Sequence, residues 1–394
     1  MRLDSAGGTA HLTYCTNIHP GESWPQVLAS LERHLPEVKR SCSPDAAMGV
    51  GLRLGAAAAE ALEMAELKAL LARLDCYVFT INGFPYGPFH GQPVKEAVYR
   101  PDWSRPERLA YTKQLCDHLA QLLPADCSGS VSTVPVTFKA WADEANIGAA
   151  AVNIVNCAAH LWRLEQATGR RIALALEPEP CCLLETIAEA VAFFEEYLFS
   201  PAASARFGNG TGLGGGAAGE ALRRHLGLCY DVCHAAVEFE DPQASFAALE
   251  AAGIAVAKLQ ISAALRIPQV NEQSLAALCR FDEPVYLHQV VARRDKRLAR
   301  HADIPQAISA GEIEPGDEWR VHFHVPVFLQ EVEPFATTQP FLRAVLDRQR
   351  ARPVSQHLEV ETYTWDVLPP ALRLDQLSAS IARELNWVRE RLAE

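Results

Sequence analysis

The feature that most constrains this chain is the alternation of short apolar runs with longer stretches of helical spacing, eight times over along 394 residues. The runs are LTYCTNI from Leu12, GVGLRL from Gly49, CYVFTING from Cys76, SVSTVPV from Ser130, IALALEP from Ile172, LGLCYD from Leu226, AKLQIS from Ala257 and LEVETYTW from Leu358. Residues 24–37, 56–74, 106–122, 147–168, 186–199 and 242–252 carry helix signals between them. Strand–helix alternation predicts parallel βαβ units. Eight is the number of units that closes a (β/α)8 TIM barrel, so the predicted fold is α/β, one barrel domain spanning 1–394.

Four of the runs end in a polar side chain able to bind a metal: Glu177, Asp231, Gln260 and Glu361. The C-terminal ends of barrel strands open onto one face, where active sites form. Four oxygen ligands meeting there predict a divalent-metal site, and hard oxygen donors suit Mg, Mn or similar ions. A carboxylate at a strand exit is costly unless a cation or a donor meets it. Each of these residues alone reads as a salt-bridge partner or a cap. Four on successive strands point to a metal. Glu359 shares the parity of Glu361, which is preferred because it lies nearer the strand end. His234 follows Asp231 by three residues, on the same side of an incipient helical turn.

Two stretches break the rhythm. Residues 201–222 contain FGNGTGLGGGAAGE, which matches G-x-G-x-x-G at Gly210, Gly212 and Gly215 but follows a helix instead of a strand. A dinucleotide fingerprint needs the strand first, so a flexible glycine-rich loop is expected. Residues 263–356 form an insertion before the last strand, with two further β-like runs, VYLHQVVAR from Val285 and WRVHFHVPVF from Trp319. As a hairpin-like antiparallel pair over the barrel mouth, they would present His288, Gln289, His322 or His324 to a substrate. A half-exposed sheet whose polar face meets water accounts for the same pattern equally well. His19 and His90 stand in the same position, as pocket-lining or capping groups.

Composition narrows the partners. Hydrophobic residues at 49% and charged residues at 21% allow a large core without disulfides. The eleven cysteines are odd in number and scattered through apolar runs, which favours reduced, buried thiols and a cytoplasmic protein. A zinc cluster of Cys229, Cys233 and His234 has too few local ligands. The formal charge of −12 disfavours nucleic acid, despite the short RRDKRLAR run at 293–300. No run approaches the ~18 apolar residues that a membrane span requires, so no membrane insertion is expected. A small molecule is the expected partner, and a homo-oligomer is left open.

Glu at the fifth strand, Asp-x-x-His at the sixth, Gln at the seventh with Arg266 six residues later, and Glu at the eighth resemble the xylose isomerase-like TIM-barrel superfamily of sugar isomerases and epimerases. More narrowly, LTYCTNIHPGESW, NGFPYGPFHG, ALEPEP and YDVCHAAVEF resemble the metabolite-traffic protein EboE family. The resemblance implies a divalent ion (Mn, Mg, Co or Zn) held by Glu177, Asp231, Gln260 and Glu361. It further implies that Glu177 and Glu361 move protons and that His234 and Arg266 touch substrate oxygens, with His19, His288 and His324 as further substrate-binding candidates. The expected activity is isomerisation or epimerisation of a sugar-, polyol- or cyclitol-derived metabolite by proton transfer, in a metabolite biosynthesis or traffic pathway. The alternative is a non-catalytic carrier barrel. Gln260 departs from the His common at that place, and the long insertion departs from small-sugar epimerases. An endonuclease-like relative would need a His-rich zinc cluster and a basic groove.

Overall fold

All eight predicted runs form strands: β1 (Gly8–Tyr14), β2 (Met48–Arg53), β3 (Cys76–Asn82), β4 (Gly129–Thr133), β5 (Ile172–Leu176), β6 (Leu226–Asp231), β7 (Ala255–Ile261) and β8 (His357–Val360). The computed structural model describes residues 1–5, 8–310, 314, 316–366, 368 and 376–394. The eight strands run in the order β1-β8-β7-β6-β5-β4-β3-β2, each parallel to its neighbour. Most of their residues are buried, as expected of strands covered by helices on the outside and packed side chains within.

Side chains finish the ring at the β1–β2 seam. A short strand, Arg2–Ser5, occupies the free edge of β1 as an antiparallel neighbour. Higher up, Cys15 and Gly51 form a single parallel bridge. Around it Thr13 Oγ1 donates to Gly49 O at 2.8 Å and accepts from Gly51 N at 2.9 Å, while Thr16 Oγ1 accepts from Arg53 N at 2.8 Å. These hydroxyls satisfy backbone groups that would otherwise be buried and unpaired. The architecture is an α/β barrel closed except for this seam.

The outer helices follow the apolar spacing. In Trp24–Cys42, Ser23 and Gln26 form a capping box, and Trp24, Val27, Leu31, Leu35 and Val38 turn one stripe onto the barrel. Each such side chain contributes about 1.5–3 kcal/mol on burial. Residues 201–222 depart from the expected loop and instead form the helices Pro201–Thr211 and Gly215–His225. Ser200 caps the first by accepting from Ala203 N, and Phe207, Ala218 and Leu222 bury against the core. Gly212, at φ 80°, terminates that helix in the left-handed conformation. The glycines here end and begin helices, and no strand precedes Gly210 as a dinucleotide fingerprint requires.

The segment between β7 and β8 is larger than a hairpin. Six short antiparallel strands assemble in the order Arg297–His301, Val290–Arg294, Glu318–Val321, Leu265–Ile267, Phe335–Thr337 and Glu331–Val332. The two runs singled out in the sequence do pair, with Val290 opposite Val321. The second strand ends at Val321, so His322 and His324 lie just beyond it. Among the described residues, no helix is long and apolar enough to cross a membrane. The eleven cysteines are free thiols, eight of them buried.

Candidate metal centre

The carboxyls of Glu177, Asp231 and Glu361 each offer an oxygen within 4.8 Å of the other two, and all three side chains are buried. They come from strand exits: Glu177 follows β5, Asp231 ends β6 and Glu361 follows β8. Asp231 also caps the helix Val232–Val237; its Oδ1 accepts from His234 N at 2.9 Å and from Ser262 Oγ at 2.8 Å. Glu361 is held by amides. Its Oε1 accepts from Asn17 Nδ2 at 2.6 Å and Asn82 Nδ2 at 3.0 Å, and its Oε2 from Gln260 Nε2 at 2.8 Å. The structure thus brings the four predicted ligands into one cluster, with Gln260 attached through Glu361.

The donor set fits a hard dication. Glu177 Oε2, Asp231 Oδ2 and Gln260 Oε1 are buried oxygens with no hydrogen-bond partner. An unpaired buried acceptor costs roughly 1–3 kcal/mol, and three of them at adjoining strand exits call for a cation. The acidities carry the same strain. Burial, then the charges of Glu361 and Asp231, lift the Glu177 carboxyl well above its ordinary range. Burial, then Asp231 and Glu359, raise Glu361 to about 7. Glu359 is accounted for one layer deeper, where Lys258 Nζ stands 2.7 Å from its Oε1 with both side chains fully buried. That pairing answers the choice between Glu359 and Glu361: the former belongs to the barrel interior, the latter to the mouth.

Above the carboxyls lies a cavity of about 60 Å³, bordered by Asn17, Asn82, Glu177, Glu179, Glu361 and the three histidines His234, His322 and His324. Phe89, Tyr286 and Tyr363 wall it, their ring centroids 5.0–5.5 Å apart. His234 Nδ1 faces Pro178 O at 2.9 Å, and its Nε2 lies 3.1 Å from His322 Nε2. His322 Nδ1 faces Gln289 Oε1 at 2.7 Å, and His324 Nδ1 faces Glu361 O at 2.8 Å. Burial opposes protonation of all three rings. In His234 the neighbouring Asp231, Glu179 and Glu361 outweigh it and raise the pKa, whereas His322 falls well below its ordinary value and His324 falls to about 4.

Three predicted substrate-binding residues are placed elsewhere. Arg266 belongs to the accessory sheet, where its Nε donates to Glu318 Oε1 at 2.8 Å, and it does not border the cavity. The backbone after β7 joins the accessory sheet as Leu265–Ile267, between Glu318–Val321 and Phe335–Thr337, and carries Arg266 with it. His19 is buried beside β1, its Nε2 3.0 Å from Tyr14 Oη and its ring stacked on His34 at 4.2 Å. His288 lies behind the cavity wall, with Nδ1 3.1 Å from His322 O and Nε2 2.9 Å from Glu283 Oε1. It positions His322. Sequence reasoning missed Asn17, Asn82 and Glu179. Asn82 ends β3 and Asn17 lies in the short turn Thr16–Ile18 after β1, so the strand-exit rule that found the carboxylates would have found them had it been applied to amides.

No protein-family model matches the sequence, and no curated protein matches it. Solved structures do. A xylose isomerase-like TIM-barrel protein from Mycobacterium smegmatis in complex with magnesium is similar with a TM-score of 0.51 and 11% identity, over 97% of this chain and 96% of that one. An L-ribulose 3-epimerase follows with a TM-score of 0.42 and 12% identity, over 98% and 92% of the two chains. The IOLI protein with a bound zinc atom gives 0.44 and 12%, over 97% of each chain. The first of these likenesses agrees with the fold described above, an α/β TIM barrel.

Proposed function

We propose that the chain is a divalent-metal-dependent isomerase or epimerase that moves a proton at the carbon beside a carbonyl of a small sugar-, polyol- or cyclitol-derived metabolite. The observation that carries this reading is the meeting, at the exits of β5 to β8, of three partnerless buried oxygens with the buried carboxyl of Glu361. A divalent ion held by Glu177, Asp231, Gln260 and Glu361 would supply Lewis-acid polarisation of the carbonyl. A solved barrel of the same fold was obtained in complex with magnesium, which supports a divalent ion. Fold likeness by itself does not establish turnover, so the residues carry the argument.

Glu177 and Glu361 border the cavity from different strands, and we assign them the removal and return of the proton. The Asn17 and Asn82 amides fix one oxygen of Glu361 and so set its orientation. Phe89, Tyr286 and Tyr363 exclude water from the reacting carbon. His234 and His324 border the face where substrate hydroxyls would arrive. The narrower proposal is membership of the metabolite-traffic protein EboE family, acting in the cytoplasm, and rests on the sequence segments quoted above. A carrier barrel is the second reading, favoured by the engagement of both Glu361 oxygens with amide donors.

The test is deuterium wash-in. Purified chain, loaded with Mn²⁺ and given a panel of ketoses and ketocyclitols in heavy water, is expected to place deuterium beside the carbonyl. Glu177→Gln and Glu361→Gln are expected to slow exchange by about 10²–10⁴-fold. Binding of a panel member with no exchange in the wild-type chain would establish the carrier instead.

A further inference from the structure

We infer that His234, His322 and His324 form a second metal site, distinct in chemistry from the carboxylate cluster and suited to a borderline transition-metal dication such as Zn²⁺ or Co²⁺. Each Nδ1 faces an oxygen that can only accept: Pro178 O, Gln289 Oε1 and Glu361 O, at 2.9, 2.7 and 2.8 Å. The Gln289 amide cannot be turned round, because its Nε2 donates to Tyr99 Oη at 2.8 Å and to Glu179 Oε1 and Pro180 O, both at 3.2 Å. All three rings therefore carry a proton on Nδ1, which leaves Nε2 as the nitrogen each can offer to a metal. This is the arrangement of metal-bound imidazoles, whose outer N–H is held by a carbonyl or carboxylate.

The Nε2 atoms have few protein partners, the tyrosine hydroxyl of Tyr363 standing 3.5 Å from that of His322. His234 and His322 bring two Nε2 atoms to 3.1 Å, a repulsive approach of lone pairs unless a cation lies against both. His324 Nε2 is wholly buried and has no hydrogen-bond partner. A single proton between the first two rings would still leave the third unanswered. A metal held by His324 together with His234 or His322 answers the third ring, and each pairing has a further donor within reach. Further donors stand close: Asp231 offers an oxygen within 4.8 Å of His234 and His324, Glu179 does so for His234 and His322, and Cys233 places its sulfur within that distance of His322 and His324. Nitrogen donors with one carboxylate or thiolate suit Zn²⁺ and Co²⁺, whereas the all-oxygen cluster beside them suits Mg²⁺ or Mn²⁺. Asp231 belongs to both groups, so it is the carboxylate that would bridge them. Two of the three rings come from the 263–356 segment.

The inference does not depend on proton transfer at the carboxylates, and its test is a metal count. Chelator-stripped full-length chain is loaded with Co²⁺ or Zn²⁺, and bound metal is measured after removal of the excess. Two ions per chain are expected for the wild type. Glu177→Gln is expected to keep one, with at least two imidazoles in its zinc X-ray absorption fine structure, while His322→Ala and His324→Ala each lose one equivalent. Gln289→Leu, which leaves every ligand in place, is expected to weaken the imidazole site about 10–100-fold. Circular dichroism of each variant separates loss of a site from loss of the fold. One ion per wild-type chain with no imidazole around it would overturn the inference and leave a shared proton between the rings. Absence of isotope exchange alongside an imidazole-bound zinc would refute the proposed reaction and leave this site standing.

Discussion

The ion pair beneath the site makes a prediction whose size can be worked out. Lys258 Nζ and Glu359 Oε1 are 2.7 Å apart with both side chains fully buried, and Lys258 Nζ also lies 3.2 Å from Ser132 Oγ. Removing one charge leaves the other in the barrel interior without water, which costs about 3–5 kcal/mol. Against the roughly 5–15 kcal/mol that holds a domain together, Lys258→Met alone is expected to lower the urea midpoint by 1 M or more, taking an m-value of about 3 kcal/mol per molar. Replacing both partners is different, because it removes the desolvated charges along with their attraction. Lys258→Met combined with Glu359→Met is expected to regain most of the loss. The assay is urea unfolding of the four proteins at pH 7, followed by circular dichroism and assembled into a double-mutant cycle. A coupling of at least about 2 kcal/mol is expected. If the single losses simply add, with a coupling below ~0.5 kcal/mol, the pair is not an energetic unit and the layering described here is wrong.

Other consequences can be checked independently. Gly51→Ala would place a Cβ 1.8 Å from Glu359 Oε2 and 2.7 Å from Tyr14 O, so a loss of about 1–3 kcal/mol is expected in the same unfolding assay, and an unchanged midpoint would contradict the packing. Arg266→Ala removes a partly exposed contact with Glu318, at 34% exposure for the arginine side chain, so stability should change by less than about 1 kcal/mol and substrate affinity not at all. A large rise in KM would restore Arg266 to the pocket. Burial raises Glu384 from 4.5 to about 7, even though Thr362 Oγ1 donates to it at 2.7 Å. Its neutral form is the one the fold favours, so its contribution of roughly 3 kcal/mol is complete below pH 4.5 and lost as pH rises through about 7. Glu384→Gln should flatten the fall in unfolding midpoint between pH 5 and 8, and an unaltered slope would remove Glu384 as its source.

The barrel was legible because its strands are buried on both faces and so read as unbroken apolar runs, each ended by a helix signal. The carboxylates were legible for a related reason: a charge terminating such a run has few structural uses. Arg266 misled because a fixed spacing after β7 says nothing about where the chain turns, and here it turns into Leu265–Ile267 beside Glu318–Val321. Residues 201–222 misled because glycine content was weighed above the spacing of Phe207, Ala218 and Leu222, which anchor two helices. The histidine trio could not be read at all as a unit. His234 and His322 are 88 residues apart, one in the helix Val232–Val237 and the other just beyond the strand Glu318–Val321, and what brings them together is the docking of the accessory sheet on the barrel.

That docking divides the pocket into floor and roof. The floor is rigid barrel, fixed by parallel pairing and a buried ion pair. The roof is carried on a separate six-stranded sheet, whose His288 and Gln289 hold His322 in place from behind. Substitutions that reshape the space above the carboxylates can therefore accumulate in the roof without loosening the ring below. Across descendants of this chain, the choice of molecule should drift faster than the chemistry performed on it.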